Sequence, residues 1–180
     1  MHSARSCRFL LACVAAVVPA ARGEGAPPAG GGAAAEEAVP PPPQVPSLRR
    51  SGITIIYGTP DGVRIHAALL LPETPPAGFV VMLHMFGQDR EDFAALAQEA
   101  RAAGLGVLVP DLRGHGDSTE RAGEPYHFSW FLEGDFRRLP DDVAVSVDAI
   151  VRRRQVDGSR IAILGAGMGA TAALAYTARV

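Results

Sequence analysis

The sequence predicts an α/β fold in which an antiparallel hairpin leads into parallel strands with helices on both faces of the sheet. Two observations support this class. Residues 53–71 contain two strand-like runs around the turn at residues 59–62 (TPDG), where Pro60 presets φ and Gly62 accepts a positive φ. From residue 79 onward, apolar runs alternate with segments of helical periodicity, which is typical of parallel strands joined by right-handed crossovers. The predicted order is β-β-β-α-β-α-β-α.

The predicted strands are apolar runs bounded by turn residues. They cover residues 53–57, 63–71, 79–83, 105–109 and 161–164. Because the first two flank a tight turn, we expect them to pair as an antiparallel hairpin. The third and fifth contain no polar residue, so we expect both faces of these strands to be buried.

Three helices are predicted after these strands. The first begins at the N-cap Asp89, and its apolar residues recur on one face: Phe93, Leu96, Ala97 and Ala100. The second opens at Pro140 with two acidic residues in its first turn, where negative charge favours the helix dipole. The third is the alanine-rich segment 170–178. Residues 126–139 mix aromatic and acidic side chains, and their pattern predicts no particular element.

The first fifty residues do not have the composition of a core. Residues 1–21 resemble a signal peptide, with Arg5 and Arg8 before an apolar stretch and small residues around Ala20. Export to the periplasm or to the outside of the cell is therefore predicted. An uncleaved anchor and a lipoprotein site at Cys13 are less favoured alternatives. Residues 22–50, rich in Ala, Gly and Pro, predict an extended linker before a folded domain at 51–180.

Composition limits the chemistry of that domain. Both cysteines lie in the predicted signal, so no disulfide, cysteine–metal site or cysteine nucleophile is expected beyond it. The net charge of −2 argues against a nucleic-acid partner. The histidines show no metal-ligand spacing, and no metal or other cofactor is predicted.

Residues 165–169 (GAGMG) lie between the last predicted strand and the last predicted helix, and two motifs fit them. The nucleophile elbow G-x-S-x-G fits with Gly167 in place of Ser. The dinucleotide fingerprint G-x-G-x-x-G/A fits with Ala170 at its end. That fingerprint opens its domain and needs an acidic residue about 20 positions on. Because 11 residues follow Gly169, the elbow is favoured, and Gly167 has no side-chain atom with which to attack.

Three motifs in this order resemble the α/β-hydrolase family. Residues 84–87 (HMFG) are similar to the family's His-Gly oxyanion loop, residues 111–118 (DLRGHGDS) to its D-x-R-G-x-G-x-S segment, and residues 165–169 to its elbow. The likeness covers about residues 53–180. Within the family, the sequence looks most like esterases, dienelactone hydrolases and related serine peptidases.

The resemblance implies a serine hydrolase that acts on carboxylic esters or related acyl bonds, with a small ester or a peptide-like molecule as substrate and no cofactor. In this family two main-chain N–H groups hold the oxyanion. By position, the implied site consists of Gly167 at the nucleophile position, Phe86 and Met168 at the oxyanion hole, His84 and Gly87 in the supporting loop, and Gly165 and Gly169 at the elbow.

The same resemblance predicts an inactive chain. The family's triad follows the order Ser, acid, His, whereas His66, His84, His115 and His127 all precede the elbow. We therefore expect the N-terminal portion of the fold, truncated after the elbow helix. Two alternatives stay open. One is a non-catalytic pseudo-hydrolase that binds a partner, with self-association through an exposed edge of the strand at 161–164. The other is a fragment of a longer, active hydrolase.

Overall fold

A five-stranded mixed sheet forms the centre of the computed structural model, which describes residues 45–152 and 160–180. Its strands are β1 (Ile53–Gly58), β2 (Arg64–Leu70), β3 (Phe79–Leu83), β4 (Gly106–Pro110) and β7 (Ile161–Gly165). Two short strands, β5 (Glu120–Arg121) and β6 (Glu124–Pro125), pair separately. The predicted signal peptide and most of the predicted linker lie outside the described residues.

The strand order in the main sheet is β1-β2-β4-β3-β7. β1 pairs with β2, and β2 with β4, in antiparallel fashion. β3 lies between β4 and β7 and runs parallel to both, with Leu83 opposite Gly165. The predicted hairpin followed by parallel strands is therefore confirmed. Within the described residues, β7 pairs on one side only and forms one margin of the sheet.

The helices are α1 (Leu48–Ser51), α2 (Ala94–Ala102), α3 (Glu133–Phe136), α4 (Leu139–Val151) and α5 (Met168–Thr177). The helix predicted from Asp89 begins as a 3₁₀ turn, Arg90–Phe93. Asp89 is the N-cap of this turn, and its carboxylate accepts a hydrogen bond from the Glu91 amide at 2.8 Å. Residues 126–139, for which the sequence predicted no element, hold a second 3₁₀ turn, Phe128–Trp130, and the short α3.

Hydrophobic clusters cover both faces of the sheet. Val81 and Leu108 point to the face on which α4 and α5 pack, and Val80 and Val107 point to the face covered by α2. This alternation confirms the predicted arrangement of helices on both faces. Leu48 of α1 is also fully buried in the second cluster, so the folded part begins upstream of residue 51.

None of the helices in the described ranges combines the length and the apolar character that a membrane crossing requires.

Candidate functional site

The elbow motif lies at the bend between β7 and α5. Gly167 occupies that bend with φ 51° and ψ −115°. The turn is held by the Ala166 amide, which donates to the Leu83 carbonyl oxygen at 3.0 Å, and by the Gly169 amide, which donates to the Ala166 carbonyl oxygen at 2.9 Å. A residue with a Cβ is strained by about 1–3 kcal/mol in such a conformation. Glycine adopts it at little cost.

The flanking glycines are required by packing. An ideal Cβ on Gly165 would lie 2.5 Å from the Ala170 amide nitrogen, and one on Gly169 would overlap the Leu83 carbonyl oxygen. At Gly167, by contrast, the nearest atom to such a Cβ would be Cγ of Met85, at 3.3 Å. The apex therefore has room for a small side chain, whereas the positions on either side of it do not.

The loop after β3 is fixed beside this bend by two histidines. His84 donates from Nδ1 to the Met85 carbonyl oxygen at 2.7 Å and accepts at Nε2 from the Leu112 amide at 2.9 Å. His115 donates from Nδ1 to the Arg113 carbonyl oxygen at 2.7 Å and accepts at Nε2 from the Gly87 amide at 3.1 Å. Every ring nitrogen of both side chains is therefore occupied by the main chain.

Both rings are neutral at pH 7. Burial lowers the pKa of His84, and burial lowers the pKa of His115 to about 4. A neutral ring with hydrogen on Nδ1 is also what the hydrogen bonds require, since Nε2 accepts in each case. Neither histidine has a free nitrogen with which to take a proton from a nucleophile, so both act as braces of the loop.

Two main-chain donors are left unused near the bend. Within residues 45–152 and 160–180, the amides of Phe86 and Met168 donate to no protein acceptor. Met168 is the first residue of α5, where amides are unpaired and the helix dipole favours negative charge. The role of these two amides as an oxyanion hole stays a prediction; its physical requirement, two available donors, is present.

The segment at residues 111–118 has a structural role. Asp111 is fully buried and accepts from the amides of Arg90 and Asp117, each at 2.8 Å, and from the Arg90 guanidinium at 2.8 Å. Arg113 is also fully buried and donates to Asp142 at 2.6 Å. The sequence does not indicate the roles of Arg90 and Asp142, because nothing in the local pattern distinguishes these partners from other charged residues at helix starts.

Ser118 and the other two histidines of the described ranges lie away from the elbow or are already engaged. Ser118 donates to the Asp111 carbonyl oxygen at 2.7 Å and accepts from the His66 amide at 2.9 Å. His66 belongs to β2, which β4 and β3 separate from β7. His127 contacts Ser129 at 2.8 Å. No group of three potential metal ligands occurs in the part of the chain that the structure describes.

A cluster of aromatic rings lies beside the loop after β3. The Phe86 ring lies 5.3 Å from Phe128, 5.8 Å from Phe136 and 6.3 Å from Phe131, measured between centroids. Phe86 and Phe136 are half exposed. This aromatic cluster gives the protein an apolar surface next to the bend. Within the described residues, the bend thus combines two unused amides with an apolar surface, and position 167 at its apex carries no side chain.

The chain is similar in sequence to known proteins. Residues 74–180 match the serine aminopeptidase S33 family. Over 118 residues the chain is 35% identical to a monoacylglycerol lipase of Mycolicibacterium smegmatis, covering 66% of this chain and 39% of the lipase.

Solved structures show the same fold. The α/β-hydrolase GrgF from Penicillium sp. sh18 superposes with a TM-score of 0.59 at 20% identity, over 70% of this chain and 41% of that one. A thermostable carboxyl esterase from Bacillus coagulans, solved with glycerol, superposes with a TM-score of 0.57 at 18% sequence identity, over 71% of this chain and 40% of that one. The chain thus spans about two fifths of the length of these relatives. Its sequence match and its fold together place it in the serine aminopeptidase S33 family of α/β-hydrolases.

Proposed function

We propose that this chain binds acyl compounds at the Phe86 and Met168 amides and does not hydrolyse them. The observation that carries the proposal is Gly167, which occupies the strained apex of the elbow without a side chain. Main-chain donors do not depend on the identity of side chains, so a binding site for a negative oxygen persists when the nucleophile is replaced.

The ligand class follows from chemistry and from the relatives. Two main-chain amide donors at one site favour a carbonyl oxygen that gains negative charge, as in esters, peptides and carboxylates. The names of the similar proteins, a monoacylglycerol lipase and a carboxyl esterase, support an ester among these. The proposal also includes export, which rests on the composition of residues 1–21 alone.

We expect Gly167→Ser to restore no esterase activity. A serine needs a base to take its proton, and in the described residues the two histidines that contact the loop, His84 and His115, have their ring nitrogens occupied. The measurement is hydrolysis of p-nitrophenyl butyrate by the natural chain and by the variant. Mass spectrometry after treatment with a fluorophosphonate provides a second readout.

The expected result is hydrolysis at the buffer rate and no mass gain from the phosphonate for either protein. Gly167→Ala is the matched control, because it introduces the same backbone strain without a hydroxyl. Robust turnover by the natural chain would refute the proposal. Phosphonylation of the serine variant would show that a base within this chain reaches residue 167, and would contradict the proposal. Sequencing the DNA beyond codon 180 for an in-frame acid and histidine tests separately the alternative of a fragment of a longer hydrolase.

A partner-binding role is the second candidate, because β7 lies at the sheet margin with unpaired backbone on one side within the described residues. Ile161 and Ile163 of this strand are buried by the helices, so a second strand could extend the core without exposing them. This role predicts a defined dimer or hetero-complex in light scattering. Polydisperse aggregate alone would contradict it.

A further inference from the structure

The short helix α1 is fastened to the domain by a carboxylate from a distant part of the chain. Glu91 accepts hydrogen bonds from the amides of Leu48 and Arg49, at 2.8 Å and 3.0 Å, and from the Ser47 hydroxyl at 2.9 Å. These amides belong to the first turn of α1, where a helix leaves its donors unpaired. The Leu48 side chain is fully buried. The start of α1 is therefore fixed in place next to the loop after β3.

The guanidinium of Arg49 joins two segments of the candidate site. It donates from Nη2 to Asp89 at 3.0 Å, and Asp89 lies at the end of the loop after β3. It also donates from Nε to Asp117 at 3.3 Å and lies 3.8 Å from Asp111. These two carboxylates belong to the segment after β4, which carries the histidine that accepts from the Gly87 amide. Arg49 thus binds both partners of the contact that holds the loop.

Four carboxylates surround this guanidinium within 4 Å: Asp89, Glu91, Asp111 and Asp117. Arg90 is paired with the last two of them as well. Among the described residues, Arg49 alone forms an ion pair with the first two. Without Arg49, the repulsion between these carboxylates would act on the end of the loop with no cation to offset it.

We propose that Arg49 is a positioning residue for the Phe86 amide and acts through Asp89 and the segment after β4. The inference rests on the proposed acyl-binding function and adds a part of the chain that supports its site. The Phe86 amide donates to no acceptor in the described residues, so its direction is set by the loop on either side of it. Since the side chains of Arg49 and Asp89 are each about one third exposed, their pair adds little to overall stability. Loss of Arg49 should therefore loosen the loop without unfolding the domain.

Amide hydrogen exchange and butyrate titration of the full chain test the proposal with Arg49→Ala. The Gly87 amide should exchange at least tenfold faster in the variant, because its 3.1 Å hydrogen bond to His115 opens more often. Butyrate should bind at least threefold more weakly. The Val81 amide, in a strand paired on both sides, is the internal reference and should exchange within threefold of its rate in the natural chain.

Arg50→Ala is the matched control. Arg50 lies next to Arg49 on α1, is exposed, and its side chain forms no ion pair or hydrogen bond with any other described residue. It should change neither readout by more than twofold. Glu91→Gln covers the case in which Arg49→Ala fails to fold. One of its two acceptor atoms becomes a donor, so it should release α1 and speed exchange at Gly87 in the same way.

Exchange at Gly87 within twofold of the natural rate in Arg49→Ala would overturn the proposal. Equal acceleration at Gly87 and Val81 would also overturn it, because a loss of overall stability acts on both amides. So would equal effects of Arg49→Ala and Arg50→Ala, which would indicate a general effect of charge. A natural chain that binds no butyrate would end the proposed function, whereas the exchange at Gly87 would still test the role of Arg49, so the two failures are distinguishable.

Discussion

Replacing Gly169 by alanine is expected to lower the free energy of unfolding by about 3 kcal/mol, the upper end of the usual cost of overpacking. The added Cβ would overlap the carbonyl oxygen of Leu83, a main-chain atom in the parallel strand β3. Main chain cannot move aside as the end of a flexible side chain can. Since a domain of this size is stabilised by only about 5–15 kcal/mol, the loss is severe. Urea denaturation followed by circular dichroism measures it.

Gly134→Ala is the matched control for this prediction. Gly134 lies in α3, and an added Cβ there would meet no atom within 4 Å. Because glycine in a helix costs roughly 0.5–1 kcal/mol relative to alanine, stability should be unchanged or slightly higher. If Gly169→Ala unfolded at the same urea concentration as the natural chain, the close approach of α5 to β3 at the elbow would be wrong.

Asp142→Asn is expected to lower the free energy of unfolding by about 3–5 kcal/mol, the cost of breaking a buried ion pair by removing one partner. Arg113 and Asp142 are both fully buried. Nη2 and Nε of Arg113 donate to Oδ1 of Asp142, at 2.6 Å and 3.0 Å. The variant keeps the shape of the side chain and removes its charge. Asp61 remains as a second partner of Arg113, at 3.1 Å. The same denaturation experiment measures the effect.

Asp148→Asn provides a control on the same helix. Asp148 pairs with Arg152 at 3.5 Å, and both side chains are largely exposed. An exposed pair contributes about 0–1 kcal/mol, so this variant should change stability little. Similar losses for the two variants would mean that burial of the Arg113–Asp142 pair does not determine its contribution.

Most of the fold could be predicted from the sequence because its signals are local. Apolar runs mark the strands at 79–83 and 161–164, and the turn at residues 59–62 marks the hairpin. Element boundaries were less accurate. A 3₁₀ turn capped by Asp89 precedes α2, and α5 begins at Met168, before the predicted residue 170. Leu48 joins the core although the surrounding composition predicts a linker.

The site was predictable only in part. The elbow glycines and the loop at 84–87 are recognisable by order and spacing. Arg90 and Asp142 are not, because their importance comes from burial opposite Asp111 and Arg113, which are 21 and 29 residues away in sequence.

The central claim is that the amides of Phe86 and Met168 together bind a negative oxygen at an elbow without a nucleophile. Titration of the ¹⁵N-labelled chain with butyrate, followed by amide chemical shifts, tests it most directly. The account predicts that the largest downfield proton shifts occur at Phe86 and Met168, because charge-assisted hydrogen bonds form there. Shifts confined to other residues, with these two amides unchanged at saturation, would contradict it.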